Sequence, residues 1–375
     1  MKKIITSILF LLCISSLIYP SDAEKYLSSG NTKFLSADDA GAVKDLNKAI
    51  KLDRKLTKAY CLRGMAKGNL GDLAGSIKDF NKAIKLDPEN APAYYLRGLA
   101  EYNFRDYNGA VEDYSKAIEL NPKFAEAYYN RGLAEDMLSG YEGAIKDYDR
   151  SIELDPKNAK AYCRRGIDKG HLGKGGYAGA IKDCSKAIEL EPKFVEAYYN
   201  RGLALGIAGD HKGAIRDYNR AIELDPNNPD YYYNRGLAKG IAGDNAGEIE
   251  DCSKAIELNP KIEGAYCSRG NAKFNTGNYK GAIEDCNKAI ELAPKNADVY
   301  YNRGNARAKL SDYAGMLKDY SMAIALNPKF TRAYLDRGRI RAYLGDVDGA
   351  LEDLNKAKKL GDDHADREIR KIQSK

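Results

Sequence analysis

Residues 127–160 read AYYNRGLAEDMLSGYEGAIKDYDRSIELDPKNAK, and this 34-residue stretch recurs along the chain with small changes. One glycine of the stretch, here Gly132, marks each copy. Eight of the nine spacings between marker glycines are 34 residues, and the ninth is 36 because two residues are added within 173–176. The marker glycines are Gly30, Gly64, Gly98, Gly132, Gly166, Gly202, Gly236, Gly270, Gly304 and Gly338. A fixed period of this length indicates ten stacked repeats.

Each copy predicts two short antiparallel helices, A and B. Helix A carries a Tyr four residues before the marker glycine in all ten copies, from Tyr26 to Tyr334. Apolar residues of helix B are spaced by three and four, as in Ile145, Tyr148 and Ile152, which places them on one helical face. Eight copies close with Leu-x-Pro. Proline lacks an N–H and disfavours helical geometry in its predecessor, so helix B must end there.

These features resemble the tetratricopeptide repeat over residues 24–362: the period, the small marker residue, the Ala in helix B and the closing Pro. The family's early Trp is replaced by Tyr, and its apolar residue just before the marker glycine is replaced by Arg. The resemblance implies an all-α, right-handed superhelical solenoid of ten helix–turn–helix repeats. It also implies that the A helices line a concave groove.

The two ends of the chain differ from the repeats. Residues 1–23 begin with Lys2 and Lys3, continue with a short apolar run and end in small residues, which predicts a signal peptide cleaved after Ala23. An uncleaved anchor and lipidation at Cys13 are the alternatives. Residues 363–375 carry Ile369 and Ile372 among charged residues, which predicts a C-terminal capping helix.

Arg precedes the marker glycine in nine copies, and Asp occupies helix B in all ten. A buried guanidinium needs a carboxylate partner, so we expect a ladder of Arg–Asp pairs. The first copy has Ser29 in place of Arg and yet keeps Asp45. We therefore predict that each Asp pairs with the Arg of the following repeat: Asp45 with Arg63, Asp79 with Arg97, Asp113 with Arg131, and Asp319 with Arg337. Asp353 would then be left for Arg367 or Arg370. The functional alternative is a row of Arg side chains that bind an acidic ligand.

Tyr is the commonest residue three positions before the marker glycine, and Asn often follows it. Tyr offers flat apolar area with a hydroxyl, and Asn adds amide donors and acceptors, a combination that suits a binding groove. The candidate groove residues are Tyr95, Tyr129, Asn130, Tyr199, Asn200, Tyr233, Asn234, Asn271, Tyr301, Asn302 and Asn305. The alternative is that these Tyr side chains pack against the next repeat.

No catalytic or cofactor signature is found in the sequence. The three His residues lack metal-ligand spacing, and the segment GHLGKG at 170–175 lacks the spacing and the Ser/Thr of a phosphate loop. Six Cys follow residue 23, and their spacing favours buried thiols over disulfides between repeats. The net charge of +6 comes from interspersed signs, which does not favour nucleic acid as a partner.

The sequence therefore predicts a non-catalytic protein–protein interaction scaffold in the periplasm or cell envelope of a bacterium, without metal or cofactor, that binds proteins or peptides in its groove. A glycan- or cell-wall-binding adaptor that uses the Tyr and Asn side chains is the alternative function. A regulatory subunit of an envelope enzyme is a more distant one.

Overall fold

The computed structural model describes residues 21–173 and 175–374, in which 21 helices and no strand are found. The described residues form two compact units, with the division after Ala197. The first unit contains α1 Asp22–Leu35, α2 Asp39–Leu52, α3 Thr57–Asn69, α4 Leu73–Leu86, α5 Ala91–Asn103, α6 Tyr107–Leu120, α7 Ala125–Met137, α8 Tyr141–Leu154, α9 Ala159–His171 and α10 Tyr177–Leu190. Helix α11, Val195–Ile207, holds the boundary between the units.

The second unit continues with α12 His211–Leu224, α13 Pro229–Ile241, α14 Asn245–Leu258, α15 Glu263–Asn275, α16 Tyr279–Leu292, α17 Ala297–Lys309, α18 Tyr313–Leu326, α19 Thr331–Tyr343, α20 Val347–Lys359 and α21 Ala365–Gln373. Odd-numbered helices up to α19 are the A helices of repeats 1 to 10, and each even-numbered helix is the B helix of the same repeat. The predicted all-α class of helix–turn–helix repeats is confirmed.

The ends of helix B follow from local sequence. In most repeats an Asp precedes helix B, and its carboxylate accepts the N–H of a Gly three residues later, as Asp72 does from Gly75. The turn before it needs a left-handed residue, for example Gly71 with φ 85°. Helix B ends at the Leu of Leu-x-Pro, as at Leu86. The sequence pattern therefore sets both ends of this helix.

The marker glycine lets helices A and B of one repeat approach closely. A Cβ atom placed on Gly132 would lie 2.8 Å from the ring of Tyr148 in helix B. The neighbouring core positions are also small: Ala134 and Ala144 are both fully buried. Any larger residue at the marker position would push the ring out of the helix pair.

The capping helix predicted at the C-terminus is present as α21. Its Ile369 and Ile372 pack against Leu335 and Leu354 of repeat 10, while its remaining side chains are largely charged. This helix covers the apolar face that the last repeat would otherwise expose.

Most of the predicted signal peptide, residues 1–20, lies outside the described residues. Residues 21–35 form the beginning of repeat 1. Ser21 caps α1 by accepting the Glu24 N–H at 3.2 Å, and the Glu24 carboxylate accepts the Ser21 N–H. None of the helices described here has the length and apolar character needed to span a bilayer.

The Arg–Asp ladder exists, but the prediction that it joins successive repeats is wrong. Arg63 donates from Nε to Asp79 Oδ2 at 2.8 Å, and its Nη2 bonds the other carboxylate oxygen. Asp79 belongs to the same repeat. The further pairs are Arg97–Asp113, Arg131–Asp147, Arg165–Asp183, Arg201–Asp217, Arg235–Asp251, Arg269–Asp285, Arg303–Asp319 and Arg337–Asp353. Each pair is bidentate and closes within its own repeat.

Asp45 is held without an Arg, which removes the reason for the inter-repeat prediction. Lys33 Nζ lies 2.6 Å from Asp45 Oδ2, and Ser29 Oγ donates to the same oxygen at 2.8 Å. Asp353, expected to need a cation from the capping helix, is bound by Arg337 and Arg341. A Lys or Arg three residues after the marker glycine thus contributes to the pairing, a role that the sequence analysis missed.

The guanidinium nevertheless connects neighbouring repeats through its remaining nitrogen. Arg63 Nη1 donates to Asn47 Oδ1 in the preceding helix B at 2.6 Å. The same bond joins Arg131 to Ser115 and Arg337 to Ser321. The guanidinium carbon also lies over the ring of the Tyr three residues earlier, 5.4 Å from its centroid for Arg63 and Tyr60. These contacts explain why Tyr and Arg occur where the family has Trp and an apolar residue.

In repeats 3 and 4 the second cation is replaced by a glutamate. Lys67 Nζ lies 2.8 Å from Asp79, whereas Glu101 and Glu135 take the corresponding places in the next two repeats. Within the described residues, Oε2 of each glutamate is buried and accepts no hydrogen bond. Burial, and then the neighbouring Asp113, raise the pKa of Glu101 to about 8. The pKa of Glu135 is raised for the same kind of reason, with Asp147 as the neighbour.

The pairing within repeats can be tested by double-mutant cycles. Asp79→Ala leaves Arg63 and Lys67 without their carboxylate, so it should lower the free energy of unfolding by about 3–5 kcal/mol. The cycle for Arg63→Leu with Asp79→Ala should give a coupling of about 0.5–3 kcal/mol. The matched cycle for Arg63→Leu with Asp45→Ala should give almost none. Urea unfolding measures both, and equal coupling in the two cycles would contradict the observed pairing.

Glu101 should make stability depend on pH in a defined direction. Because its pKa rises from 4.5 to about 8 on folding, the native state retains a proton that the unfolded chain releases between these values. The free energy of unfolding should therefore fall as pH rises from 4.5 to 8. Glu101→Gln should remove this part of the slope, and Glu101→Lys should stabilise further by pairing with Asp113. The exposed Glu119→Gln is the control and should leave the pH dependence of the unfolding free energy unchanged. If Glu101→Gln shows the same pH dependence as the wild type, Glu101 is not its source.

Candidate functional site

The candidate groove Tyr side chains direct their hydroxyls to the next repeat. Tyr95 Oη accepts from Asn130 Nδ2 at 3.0 Å, and Tyr199 Oη accepts from Asn234 Nδ2 at 3.2 Å, in both cases 35 residues further along. Tyr301 Oη donates to Asp336 Oδ2 at 2.7 Å with the same separation. The packing alternative therefore accounts for these three Tyr and for the Asn residues bonded to them.

The other aromatic candidates are also packed. Tyr129 lies against Tyr148 of its own repeat, with ring centroids 5.8 Å apart. The Tyr233 hydroxyl lies over Gly264, where an added Cβ would be 2.5 Å from it. Tyr95 is only 3% exposed and touches Tyr114 and Phe124. Asn200 is half-buried in α11. These aromatic rings are largely engaged within the protein, so they offer little free face to a ligand.

Three of the predicted residues do come together in one pocket. Asn271, Asn302 and Asn305 line a half-open pocket of about 320 Å³ between repeats 8 and 9. The rest of its lining is Gly270, Phe274, Asn275, Ala282 and Cys286. No lining residue carries a formal charge, so the pocket suits an uncharged group that forms hydrogen bonds.

Two departures from the repeat create this pocket. The residue after the marker glycine is a large aliphatic side chain in repeats 2 to 7, whereas repeats 8 and 9 have Asn271 and Asn305. In helix B, Cys286 takes the place that Tyr320 has in the next repeat. A thiol fills much less space than a phenol ring. The shorter side chains open space, and the amides make that space polar.

Hydrogen bonds within the protein determine what the pocket offers. Asn305 Oδ1 accepts from Tyr320 Oη at 2.6 Å, and its NH2 group also lies within reach of the Tyr301 hydroxyl oxygen, so Asn305 can offer a ligand its second N–H. Asn275 Nδ2 donates to Asn245 Oδ1 at 3.2 Å, which leaves its carbonyl oxygen as an acceptor. The pocket thus presents a donor and an acceptor beside the Phe274 ring, the complement of an amide group.

The six described cysteines are free thiols, four of them buried. Burial raises the pKa of Cys286 to about 12, which keeps the thiol protonated and poorly nucleophilic at neutral pH. The cysteine in the pocket wall is therefore a small packing residue.

A second polar cluster, which the sequence analysis missed, lies between repeats 4 and 5. Asp168 in α9 is fully buried, and neither of its carboxylate oxygens accepts a hydrogen bond from the rest of the described chain. Burial, and then the neighbouring Asp136 of α7, raise the pKa of Asp168 to about 8. The Tyr148 hydroxyl, also fully buried, lies in the field of both carboxylates and likewise has no hydrogen-bond partner among the described residues.

A departure from the repeat would have revealed this cluster. The position two residues after the marker glycine is Ala in seven repeats, Thr32 in repeat 1 and Ile340 in repeat 10; only repeat 5 has a carboxylate there. The repeat pattern is defined by positions at which the copies agree, so it gives no indication of a residue that differs in a single copy. The signal is the single exception.

Family comparisons agree with this architecture. Models described as TPR repeat match residues 69–103, 106–135, 173–206, 207–240 and 270–311. Others described as Tetratricopeptide repeat match 125–158, 229–262 and 301–365. The comparison with curated proteins gave no match.

Among solved structures, a tetratricopeptide repeat protein from Parabacteroides merdae has a TM-score of 0.50 at 22% identity, covering 68% of this chain and 97% of that one. MamA is 31% identical, with a TM-score of 0.42 and coverage of 44% of this chain and 94% of its own. YrrB, described as a TPR protein with an unusual peptide-binding site, is 25% identical, with a TM-score of 0.44 and coverage of 50% and 95%. With repeat models matching well over half of its length, the chain belongs to the tetratricopeptide-repeat family.

Proposed function

We propose that this protein is a non-catalytic scaffold that binds an extended segment of a partner protein, and that the pocket between repeats 8 and 9 takes an amide group of that segment. The observation that carries the proposal is the donor and acceptor pair of Asn305 and Asn275 beside Phe274. A peptide presents amide N–H and C=O groups along its length. Helical repeat proteins bind such segments across several repeats.

The lining of the pocket favours peptide over charged ligands. A charged side chain would lose water on entering and would find no opposite charge among the lining residues. An amide group loses less hydration free energy than a charged group on entering the pocket, and it forms two hydrogen bonds there. Each such bond contributes about 0.5–1.5 kcal/mol, which suits an interaction of moderate affinity at this pocket.

The glycan alternative is weaker because the aromatic faces are occupied. Tyr95 and Tyr301 lie against aromatic rings of their own and the following repeat. Stacking on sugars needs a free ring face, and Phe274 is the aromatic residue of the pocket. The binding experiment below distinguishes glycan binding from peptide binding.

The proposed setting is the bacterial cell envelope, with residues 1–23 acting as the export signal. The support is the sequence of that segment: two Lys, a short apolar run and small residues before Glu24. N-terminal sequencing of the protein recovered from envelope fractions should begin at Glu24. Recovery of the intact N-terminus in the membrane fraction would indicate an anchor, and a lipid-modified Cys13 would indicate a lipoprotein.

Peptide binding can be tested with the full chain and a random peptide display library. Peptides should be selected, and Asn275→Ala combined with Asn302→Ala should weaken their binding about tenfold, because the Asn275 acceptor and a second amide of the lining are lost. Asn305 is left intact because it also holds Tyr320. The affinity of each selected peptide is measured by calorimetry.

The exposed Asn355→Ala of α20 is the matched control, since it removes an amide outside the pocket. It should leave peptide affinity unchanged. Failure to select any peptide, together with sedimentation of the protein by isolated cell-wall glycan, would favour the glycan adaptor. Equal loss of binding in the control and in the pocket variant would show that the pocket is not the site.

A further inference from the structure

The cluster between repeats 4 and 5 has the chemistry of a cation-binding site. Asp168 is fully buried, neither of its oxygens accepts a hydrogen bond from a donor group of the described chain, and it can bond to its neighbour Asp136 when one of the two carboxyls is protonated. Tyr148 Oη, which lies in the field of both carboxyls, also has no hydrogen-bond partner among the described residues. A buried carboxylate without a partner destabilises the fold. Ala, present at this position in seven other repeats, would avoid that penalty. The structure therefore retains an unfavourable group at one place where a neutral residue is available.

We propose that Asp136 and Asp168 form a second binding subsite, which takes a lysine side chain of the partner segment. This proposal rests on the proposed function, because the lysine belongs to the bound peptide. Asp136 is half-buried and occupies in repeat 4 the place that Phe274 occupies in repeat 8. Asp136 is more exposed than Asp168, so it is the part of the subsite that a ligand reaches first.

The three acceptors match an ammonium group. Lysine has three N–H donors on one nitrogen, and the cluster offers Asp136, Asp168 and the Tyr148 oxygen. An ammonium is compact and sits on a flexible stem, so it suits closely spaced acceptors better than the planar guanidinium of Arg does. A metal ion is disfavoured as the occupant, because no group of three His, Cys, Asp or Glu side chains suited to a metal occurs within the described residues.

The cation already present nearby is committed elsewhere. Arg164 Nη2 forms an ion pair with Glu196 Oε1 at 3.0 Å. The positive charge of Arg164 opposes the rise that burial causes in the pKa of Asp168. Arg164 makes no hydrogen bond to Asp168. Asp168 and Asp136 therefore remain available to a cation that the partner brings.

The chain itself shows that an ammonium can sit beside a buried Asp in this fold. Lys67, Lys239 and Lys273 each place Nζ 2.8–2.9 Å from the buried Asp of their repeat. These lysines are 19–21% exposed, so most of each stem is covered. The proposed subsite repeats this arrangement with the lysine supplied from outside.

The test compares Asp168→Ala with the wild type on selected peptides that contain lysine. Replacing the lysine by norleucine should weaken binding to the wild type about tenfold or more, and should have little effect on Asp168→Ala. Asp168→Ala should also melt at a higher temperature than the wild type. A loss of lysine-dependent binding in this variant would then not result from a loss of folding. Exposed Glu142→Gln removes one negative charge from repeat 4 and is the matched control.

A second measurement is independent of peptide selection. The carboxyl carbon-13 resonance of Asp168, assigned by its absence in Asp168→Ala, should move toward the ionised value when N-acetyl-lysine methylamide is added. N-acetyl-norleucine methylamide should not move it. Equal responses to the two probes would overturn the subsite. Peptides that need Asn302 but tolerate norleucine would overturn the subsite and leave the proposed function intact. If no peptide is selected, the proposed function fails, and the two probes alone decide whether the cluster binds lysine.

Discussion

The bidentate pair between an Arg of helix A and an Asp of helix B is the interaction on which the rest of the structure depends. It holds the two helices of a repeat together across their polar side, while the marker glycine and the ring of helix B hold them on the apolar side. The remaining guanidinium nitrogen reaches the preceding helix B. One side chain thus joins helix to helix and repeat to repeat. The carboxylates of these pairs are almost fully buried, with Asp79 only 3% exposed, so each depends on its cations.

The repeat pattern was sufficient to predict the helices, their ends and the capping helix. Leu-x-Pro stops helix B for a local reason, and the Asp that precedes helix B caps it for a local reason. The choice of ion-pair partner was not local. Asp45 precedes Arg63 by 18 residues and Asp79 follows it by 16, so the sequence offers Arg63 a carboxylate on either side, while Lys33 supplies the cation for Asp45. Spacing alone could not decide between the two.

Among the candidate binding residues, too, the repeat pattern predicts some features and leaves others undetermined. Tyr95 and Tyr199 were correctly recognised as recurring, and recurrence turned out to reflect contact with the next repeat. Asn271 and Asn305 differ from the apolar residues at the same position of repeats 2 to 7, and they line the pocket. Asp168 is the one carboxylate at a position that holds Ala, Thr or Ile in the other nine repeats. In a periodic protein the stabilising residues repeat, whereas the residues that distinguish one ligand from another are the exceptions. A search for function in such a chain should begin with the differences between copies.

Closure of each ion pair inside its own repeat has a consequence for how such a chain can change its length. A unit that satisfies its own buried charges can be copied or lost during recombination without leaving a carboxylate unpaired at the junction. The guanidinium's link to the preceding helix needs only a small polar acceptor, which Asn47, Ser115 and Asp149 all supply. New copies can therefore join in any order, and each copy is free to diverge in the few positions that contact a ligand.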